Sequence, residues 1–144
     1  MKLSFCRVKI RTVLTWLWYW LPPLFMMAVI FYFSAQQSLP QAPGPWLDAF
    51  LKKLTHIAEY TLLFLLLVRA WRRSRVVEGA LLAALLTTAA YAISDEFHQS
   101  FVPGRHANWY DVLIDVTVPL LLCLVWRGRL RRRLVGAKDP YLTK

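Results

Sequence analysis

Residues 13–33 form an uninterrupted run of 21 residues that contains no charged side chain. A helix of about 20 apolar residues is what crosses the hydrocarbon core of a bilayer. A secretory signal peptide has a shorter apolar region, of about 7–15 residues, and a small residue at its cleavage site. The run in this chain is longer and ends in Phe33. We therefore predict an uncleaved transmembrane helix, which commits the chain to a membrane fold.

Three further apolar stretches follow along the chain, at residues 54–70, 76–97 and 109–126. Each contains ionisable side chains, but each is bounded on one side by a basic cluster and is too long for a strand. With 58% hydrophobic residues and a mean hydropathy of +0.40, the chain has the composition of a membrane protein. The predicted fold is an all-α integral membrane bundle of four transmembrane helices. It forms one domain, residues 13–126, between a basic N-terminal segment, 1–12, and a basic tail, 127–144.

Lysine and arginine are unequally distributed among the segments outside the spans. The N-terminal segment, the connection between spans two and three and the C-terminal tail together carry 15 of them, and the remaining connections carry 3. By the positive-inside rule, both termini are cytoplasmic and the other two connections lie outside. The net charge of +10 is not taken as a sign of nucleic-acid binding, because the chain outside the spans is too short to form a soluble basic face. We expect no nucleic-acid partner.

The connection between the first two spans is rich in proline and contains Gly44. Such a composition predicts an ordered turn. After it, residues 46–53 mix aromatic, acidic and basic side chains, which is typical of a short helix lying in the membrane interface. The sequence therefore predicts a short interfacial helix that precedes the second span.

Three of the spans carry polar side chains at the three- and four-residue spacing that places them on one helix face. These stripes are His56, Glu59 and Tyr60 in the second span, Tyr91, Ser94, Asp95 and His98 in the third, and Asp111 and Asp115 in the fourth. A helical rise of about 1.5 Å per residue places all three stripes in the outer half of the membrane. Because a carboxylate in hydrocarbon is costly, we expect the stripes to face one another and form a polar pocket that opens outward.

Four further residues lie near this predicted pocket along the chain. Lys53 and Arg105 flank the acidic cluster and are candidates to contact a phosphate or a carboxylate. Glu96 and Gln99 lie beside the third stripe, where they either line the pocket or end the helix in interfacial water. Asp111 is also suited to cap the fourth helix, because an acidic side chain stabilises a helix N-terminus.

The polar residues fall into three motifs, KxxHxxEY at 53–60, YAxSDEFHQxFVPGR at 91–105 and DVLID at 111–115. In this order they resemble the VanZ-like family of small bacterial membrane proteins. The resemblance extends from about residue 13 to residue 126 and implies a multi-span domain in the bacterial cytoplasmic (inner) membrane. The family's founding member is associated with resistance to the glycopeptide teicoplanin. We treat that association as a property of the family and do not extend it to this chain.

Three functions are compatible with the sequence. In the first, the pocket binds a lipid-linked cell-wall component or a glycopeptide-type ligand, within a bilayer whose lipids are the general partner. The candidate ligand-binding residues are Lys53, Tyr60, Tyr91, Ser94, Glu96, Gln99, Arg105, Asp111 and Asp115.

In the second function, the protein is an intramembrane hydrolase or transferase that acts on an envelope lipid. Its candidate catalytic residues are His56, Glu59, Asp95 and His98. They could act as acid and base, or ligate a divalent metal, although the HExxH pattern of many zinc sites is absent. In the third function, the polar cluster is only a buried network that fixes helix packing.

Overall fold

The computed structural model describes residues 2–37, 42–74, 79–105 and 107–136, and within them the side chains from Val13 onward except those of 131 and 133–136. In these ranges the chain forms four helices and no strand. The helices are α1, Lys2–Ser34; α2, Pro45–Arg73; α3, Ala80–Gln99; and α4, Trp109–Gly136. Each contains a segment long and apolar enough to cross a membrane, so the predicted all-α, four-helix class is confirmed. The start of the predicted third span, 76–78, and the tail beyond 136 lie outside the described residues.

Consecutive helices run antiparallel, so each end of the bundle gathers helix ends from different parts of the chain. The two ends differ in the side chains that they carry. The end that we call the polar end contains the last turn of α1, the first turns of α2 and α4 and the last turn of α3. The opposite end, which we call the basic end, contains Arg69, Arg72 and Arg73 of α2 and Arg129 of α4. α1 begins and α4 ends at the basic end.

α2 and α3 each contact all three other helices, whereas α1 and α4 do not contact each other within the described residues. Tyr60, Leu63, Phe64 and Leu67 of α2 are at most 1% exposed and form the centre of the core. Their spacing of three and four residues gives α2 one buried face.

The inward face of α3 carries small side chains at every fourth position, and these are Ala80, Ala84, Thr88 and Ala92. Small residues allow helix backbones to approach closely, which is the main source of packing energy between helices surrounded by lipid. The Thr88 hydroxyl donates to the carbonyl of Ala84, so this polar group is satisfied within its own helix. α3 can therefore lie close against both α2 and α4.

The outer surface of the bundle is strongly apolar. Large side chains such as Trp18 and Phe25 of α1, each 69% exposed, project away from the other helices. Water would penalise such a surface, whereas lipid tails are as apolar as these side chains. The exposure pattern is therefore that of a membrane-embedded bundle.

The predicted helix at 46–53 is present, but it is not a short element of its own, because these residues form the first turns of α2. Pro45 occupies the first position of the helix, where its missing N–H is not needed, and Gly44 before it adopts a φ of +94°. With 29 residues α2 is about 44 Å long, which exceeds the roughly 30 Å hydrocarbon core. A single helix can therefore carry charged residues in the interface and still cross the membrane.

Candidate functional site

Arg105 is held at the polar end by the last turn of α1 and the residues just after it. Gly104 has a φ of +81°, which favours glycine, and the turn that it forms directs Arg105 toward α1. The guanidinium donates from Nη2 to the carbonyl of Phe33 at 3.0 Å and from Nε to the carbonyl of Gln36 at 3.1 Å. Carbonyls at a helix C-terminus lack partners within the helix and attract a cation. Among the described residues no carboxylate pairs with Arg105.

A second group of polar side chains is centred on Asp95 of α3, which is 3% exposed. Its Oδ2 accepts hydrogen bonds from the Tyr60 hydroxyl and from Nε2 of Gln99, each at 3.0 Å. Its Oδ1 is buried and has no hydrogen-bond partner in the described structure. Asp95 therefore joins α3 to α2 through the buried hydrogen bond from Tyr60, while the bond from Gln99 lies within α3.

α2 and α4 are joined by two pairs of ionisable side chains, one helical turn apart. His56 Nδ1 lies 3.5 Å from Oδ2 of the buried Asp115. Lys53 forms an ion pair with Asp111 in the first turn of α4. Nearby, a carboxylate oxygen of Glu96 accepts the N–H of Asn108, just before α4 begins. The prediction that Asp111 is the N-cap is wrong, because α4 begins at Trp109 and the Asn108 side chain before it accepts the N–H of Tyr110. Asp111 lies in the first turn, where it links α4 to α2.

Two cavities lie on either side of these contacts. The α1-side cavity, of about 300 Å³, is lined by parts of α1, α2, Asp95 and Arg105. The α4-side cavity, of about 220 Å³, lies among α2, the end of α3 and the start of α4. Lys52, His56 and Arg105 line both cavities. These three side chains therefore form the wall that the two cavities share.

Three charged groups of the α1-side cavity lack a partner of opposite charge, namely Glu59, Asp95 and Arg105, and of the two acids only Asp95 is held by hydrogen bonds. Glu59 is half-buried and makes no hydrogen bond or ion pair with any described residue. Lys52, by contrast, pairs with Asp48 at 2.6 Å. A ligand in this cavity would therefore meet one available acid and one available guanidinium.

The third predicted stripe is divided by the structure. Asp95 lines the α1-side cavity, whereas Tyr91 donates to the carbonyl of Met27 at 2.5 Å and Ser94 lies on the exposed surface. The His98 ring stacks on Phe31 with centroids 4.3 Å apart. None of Tyr91, Ser94 and His98 lines either cavity.

The reason for this division is the rotation of α3 about its axis. Asp95 lies at the boundary of two adjacent faces of α3, one with Ser94 and His98 and one with Glu96 and Gln99. Helical spacing alone does not tell which of the two faces is buried. The buried face continues the small-residue stripe through Asp95, Glu96 and Gln99. Packing of alanine against α2 and α4 therefore decided which polar residues face inward.

Some residues of the site were not predicted from the sequence. Asp48 and Lys52 line the α1-side cavity, and their i,i+4 spacing was the available signal. The carbonyls of Phe33 and Gln36 that hold Arg105 are backbone groups, so no residue type could have indicated them.

The residues considered for a metal do not assemble into a ligand set. His98 contacts Phe31 of α1, apart from the cavities that His56 lines. In the part of the chain that the structure describes, no group of three His, Cys, Asp or Glu side chains is placed to hold a metal ion. The acid–base form of the enzyme hypothesis does not need such a set.

The fold defines a class of protein, a small multi-pass membrane bundle of four helices with polar side chains gathered at one end. The model of the VanZ/LLP1 family matches residues 17–130, which is most of the chain. The chain therefore belongs to the VanZ/LLP1 family, and the resemblance predicted from the three motifs is confirmed. Comparisons with curated proteins and with solved structures found no match.

Proposed function

We propose that the polar end faces out of the cell and binds the phosphorylated headgroup of a lipid-linked envelope component. In this arrangement the protein lies in the bacterial cytoplasmic membrane with both termini in the cytoplasm. The excess of lysine and arginine outside the polar end supports this orientation. A ligand from the outer leaflet would then reach the two cavities by moving laterally at the level of the interface.

The observation that supports this proposal is that Arg105 is held in place at the cavities without being neutralised by an acid. Its guanidinium is fixed by the carbonyls of Phe33 at the end of α1 and of Gln36 just after it. It lines both cavities and has no carboxylate partner among the described residues. Arginine has five N–H donors, so donors remain for a ligand after the two bonds to these carbonyls. Its planar fork is suited to bind two oxygens of a phosphate at once.

Glu59 adds a second recognition group to the same cavity. A carboxylate without a partner accepts hydrogen bonds from hydroxyl or amide groups. A headgroup that carries a phosphate and a sugar would satisfy both Arg105 and Glu59. The two lysines contribute less, because Lys52 is paired with Asp48 and Lys53 with Asp111.

Binding of a polyprenyl diphosphate to the purified protein tests this proposal. Arg105→Gln is expected to weaken binding about tenfold, because it removes a charge-assisted hydrogen bond to phosphate. Arg105→Lys keeps the charge and is expected to fall between Arg105→Gln and wild type. Native mass spectrometry over a titration of the lipid gives the bound fraction for each variant.

Two controls define the outcome. Lys53→Gln removes a positive charge that is already paired, so a change of less than about threefold is expected. A polyprenyl alcohol, which lacks phosphate, is expected to bind weakly to every variant. Equal binding of the alcohol and the diphosphate, or an unchanged affinity of Arg105→Gln, would contradict the proposal.

A second candidate function is favoured by the pairing of His56 with Asp115. A carboxylate on Nδ1 orients the imidazole and leaves Nε2 available for proton transfer. His56 lines both cavities, so it lies where a phosphorylated headgroup would enter. It could accept a proton from a water that attacks phosphorus while the ester or anhydride bond of the lipid breaks. The protein would then be an intramembrane hydrolase.

Release of phosphate from the lipid distinguishes the hydrolase candidate from the binding proposal. Purified protein in nanodiscs is incubated with a polyprenyl diphosphate, and released phosphate is measured over hours. The hydrolase candidate predicts release by wild type and at least a hundredfold slower release by His56→Gln, within the range of general acid–base contributions. Binding without any release by wild type would remove this candidate and leave the binding proposal intact.

A further inference from the structure

A basic groove crosses the opposite end of the bundle, far from the polar cavities. α1 and α4 both pack on α2 but do not contact each other in the described structure, so part of the α2 surface lies open between them. A cavity of about 330 Å³ occupies this gap. A smaller one of about 220 Å³ adjoins it, and both are lined by Arg72 and Trp126.

The rim of this groove is strongly basic. Arg69, Arg72 and Arg73 follow the i, i+3, i+4 spacing of one helix face and line the larger cavity, while Arg129 of α4 lines the smaller one. The guanidinium carbons of Arg69 and Arg73 lie 4.8 and 5.0 Å from the centroid of the Tyr19 ring. Such cation–π contacts hold the two side chains over α1 without neutralising them.

No described acidic side chain lines either cavity, and none pairs with these arginines. Four positive charges therefore converge on one gap between helices. This differs from the polar end, where each lysine has an acidic partner.

The floor of the groove is apolar. It is formed by Leu65 and Val68 of α2, and Trp126 of α4 closes one side. Leu65 is four residues before Arg69, so it lies about 6 Å deeper toward the bilayer centre. The groove thus has an apolar part at the depth of lipid tails and a cationic part at the depth of headgroups.

We infer that this groove is a binding site for an anionic phospholipid of the surrounding bilayer. The phosphate contacts Arg69, Arg72 and Arg73, and one acyl chain lies over Leu65 between α1 and α4. This chemistry selects an anionic phospholipid over a zwitterionic one, because the ammonium group beside the phosphate of a zwitterionic headgroup is repelled by the arginines. The site is independent of the function proposed for the polar end.

Retention of phosphatidylglycerol by the purified protein tests the inference. Protein in mixed micelles receives equal amounts of phosphatidylglycerol and phosphatidylcholine, and native mass spectrometry gives the bound fraction of each lipid. The double variant Arg69→Gln, Arg72→Gln is expected to lower retained phosphatidylglycerol about tenfold or more, given the contribution of each basic residue near an anionic lipid. Retained phosphatidylcholine is expected to change less than twofold.

A matched charge control is available on the same end of the bundle. Arg127 and Arg132 are exposed and line neither cavity, so Arg127→Gln, Arg132→Gln removes the same charge outside the groove. It is expected to change retention less than twofold. If both double variants lose lipid equally, the attraction is diffuse and the groove is not a site.

A third variant tests the apolar part. Leu65 is 38% exposed, so a larger side chain at this position would project into the groove. Leu65→Trp fills the groove without changing its charge and is expected to lower retained phosphatidylglycerol about fivefold or more. Inorganic phosphate is expected not to displace the lipid, which distinguishes a lipid site from a phosphate site. Unchanged retention in both the arginine and the Leu65 variants would overturn the inference. Unchanged thermal unfolding in detergent shows that each variant is folded.

Discussion

Replacing Asp95 with alanine is expected to lower the stability of the folded bundle by about 3 kcal/mol. The substitution leaves the Tyr60 hydroxyl and the Gln99 amide without their acceptor, and both donors are buried. Because Tyr60 is fully buried and Gln99 is 5% exposed, most of the desolvation penalty of the two donors remains. Unfolding in mixed micelles with increasing dodecyl sulfate, followed by circular dichroism, measures the difference.

Asp95→Asn is the matched control for the same position. Asparagine has nearly the same shape and keeps one oxygen that can accept from Tyr60 and Gln99. We expect it to lose less than about 1 kcal/mol. A loss as large as that of alanine would show that the charge of Asp95, and not its role as acceptor, stabilises the bundle. Wild-type stability in Asp95→Ala would contradict the hydrogen-bond role altogether.

Replacing Phe64 with alanine is the second large effect that we expect. Phe64 is fully buried, and its ring stacks on Trp126 of α4 with centroids 6.4 Å apart. In soluble proteins Phe→Ala in a core costs about 3–5 kcal/mol. In lipid the transfer part of that figure is small, but the lost contacts and the cavity remain, so we expect about 2–3 kcal/mol.

Leu62→Ala provides the comparison for Phe64→Ala on the same helix. Leu62 is 46% exposed on the outer surface, where lipid tails replace the missing side chain. The same micelle titration is expected to show a change within about 0.5 kcal/mol. If the two substitutions have equal effects, Phe64 does not lie in the contact between α2 and α4.

The residues of the polar cluster differ in the contacts that they make. Asp95 is bound by two neighbours, as expected for a residue that fixes helix packing. Glu59 has no such contact with the described residues, so a purely structural network does not explain it. The structural and ligand-binding hypotheses therefore apply to different residues, and substitutions at Asp95 and Glu59 should separate stability from binding.

The sequence alone determined the membrane class, the four helices and the family. The charge-free run of 21 residues indicates a membrane helix, because a helix is the structure in which one segment satisfies all its own backbone groups in lipid. The motifs were read correctly because they are local strings of residues, and the family match over residues 17–130 agrees with them.

The tertiary structure decided which of those residues share a site. Spacing placed Asp95 on two possible faces of α3, and the small residues packed against α2 and α4 selected the one with Glu96 and Gln99. The same packing turned Ser94 outward and placed His98 on Phe31. The anchoring of Arg105 depends on backbone carbonyls about 70 residues earlier in the chain. Helix rotation and such long-range contacts arise from packing between helices, which periodicity within one helix does not specify.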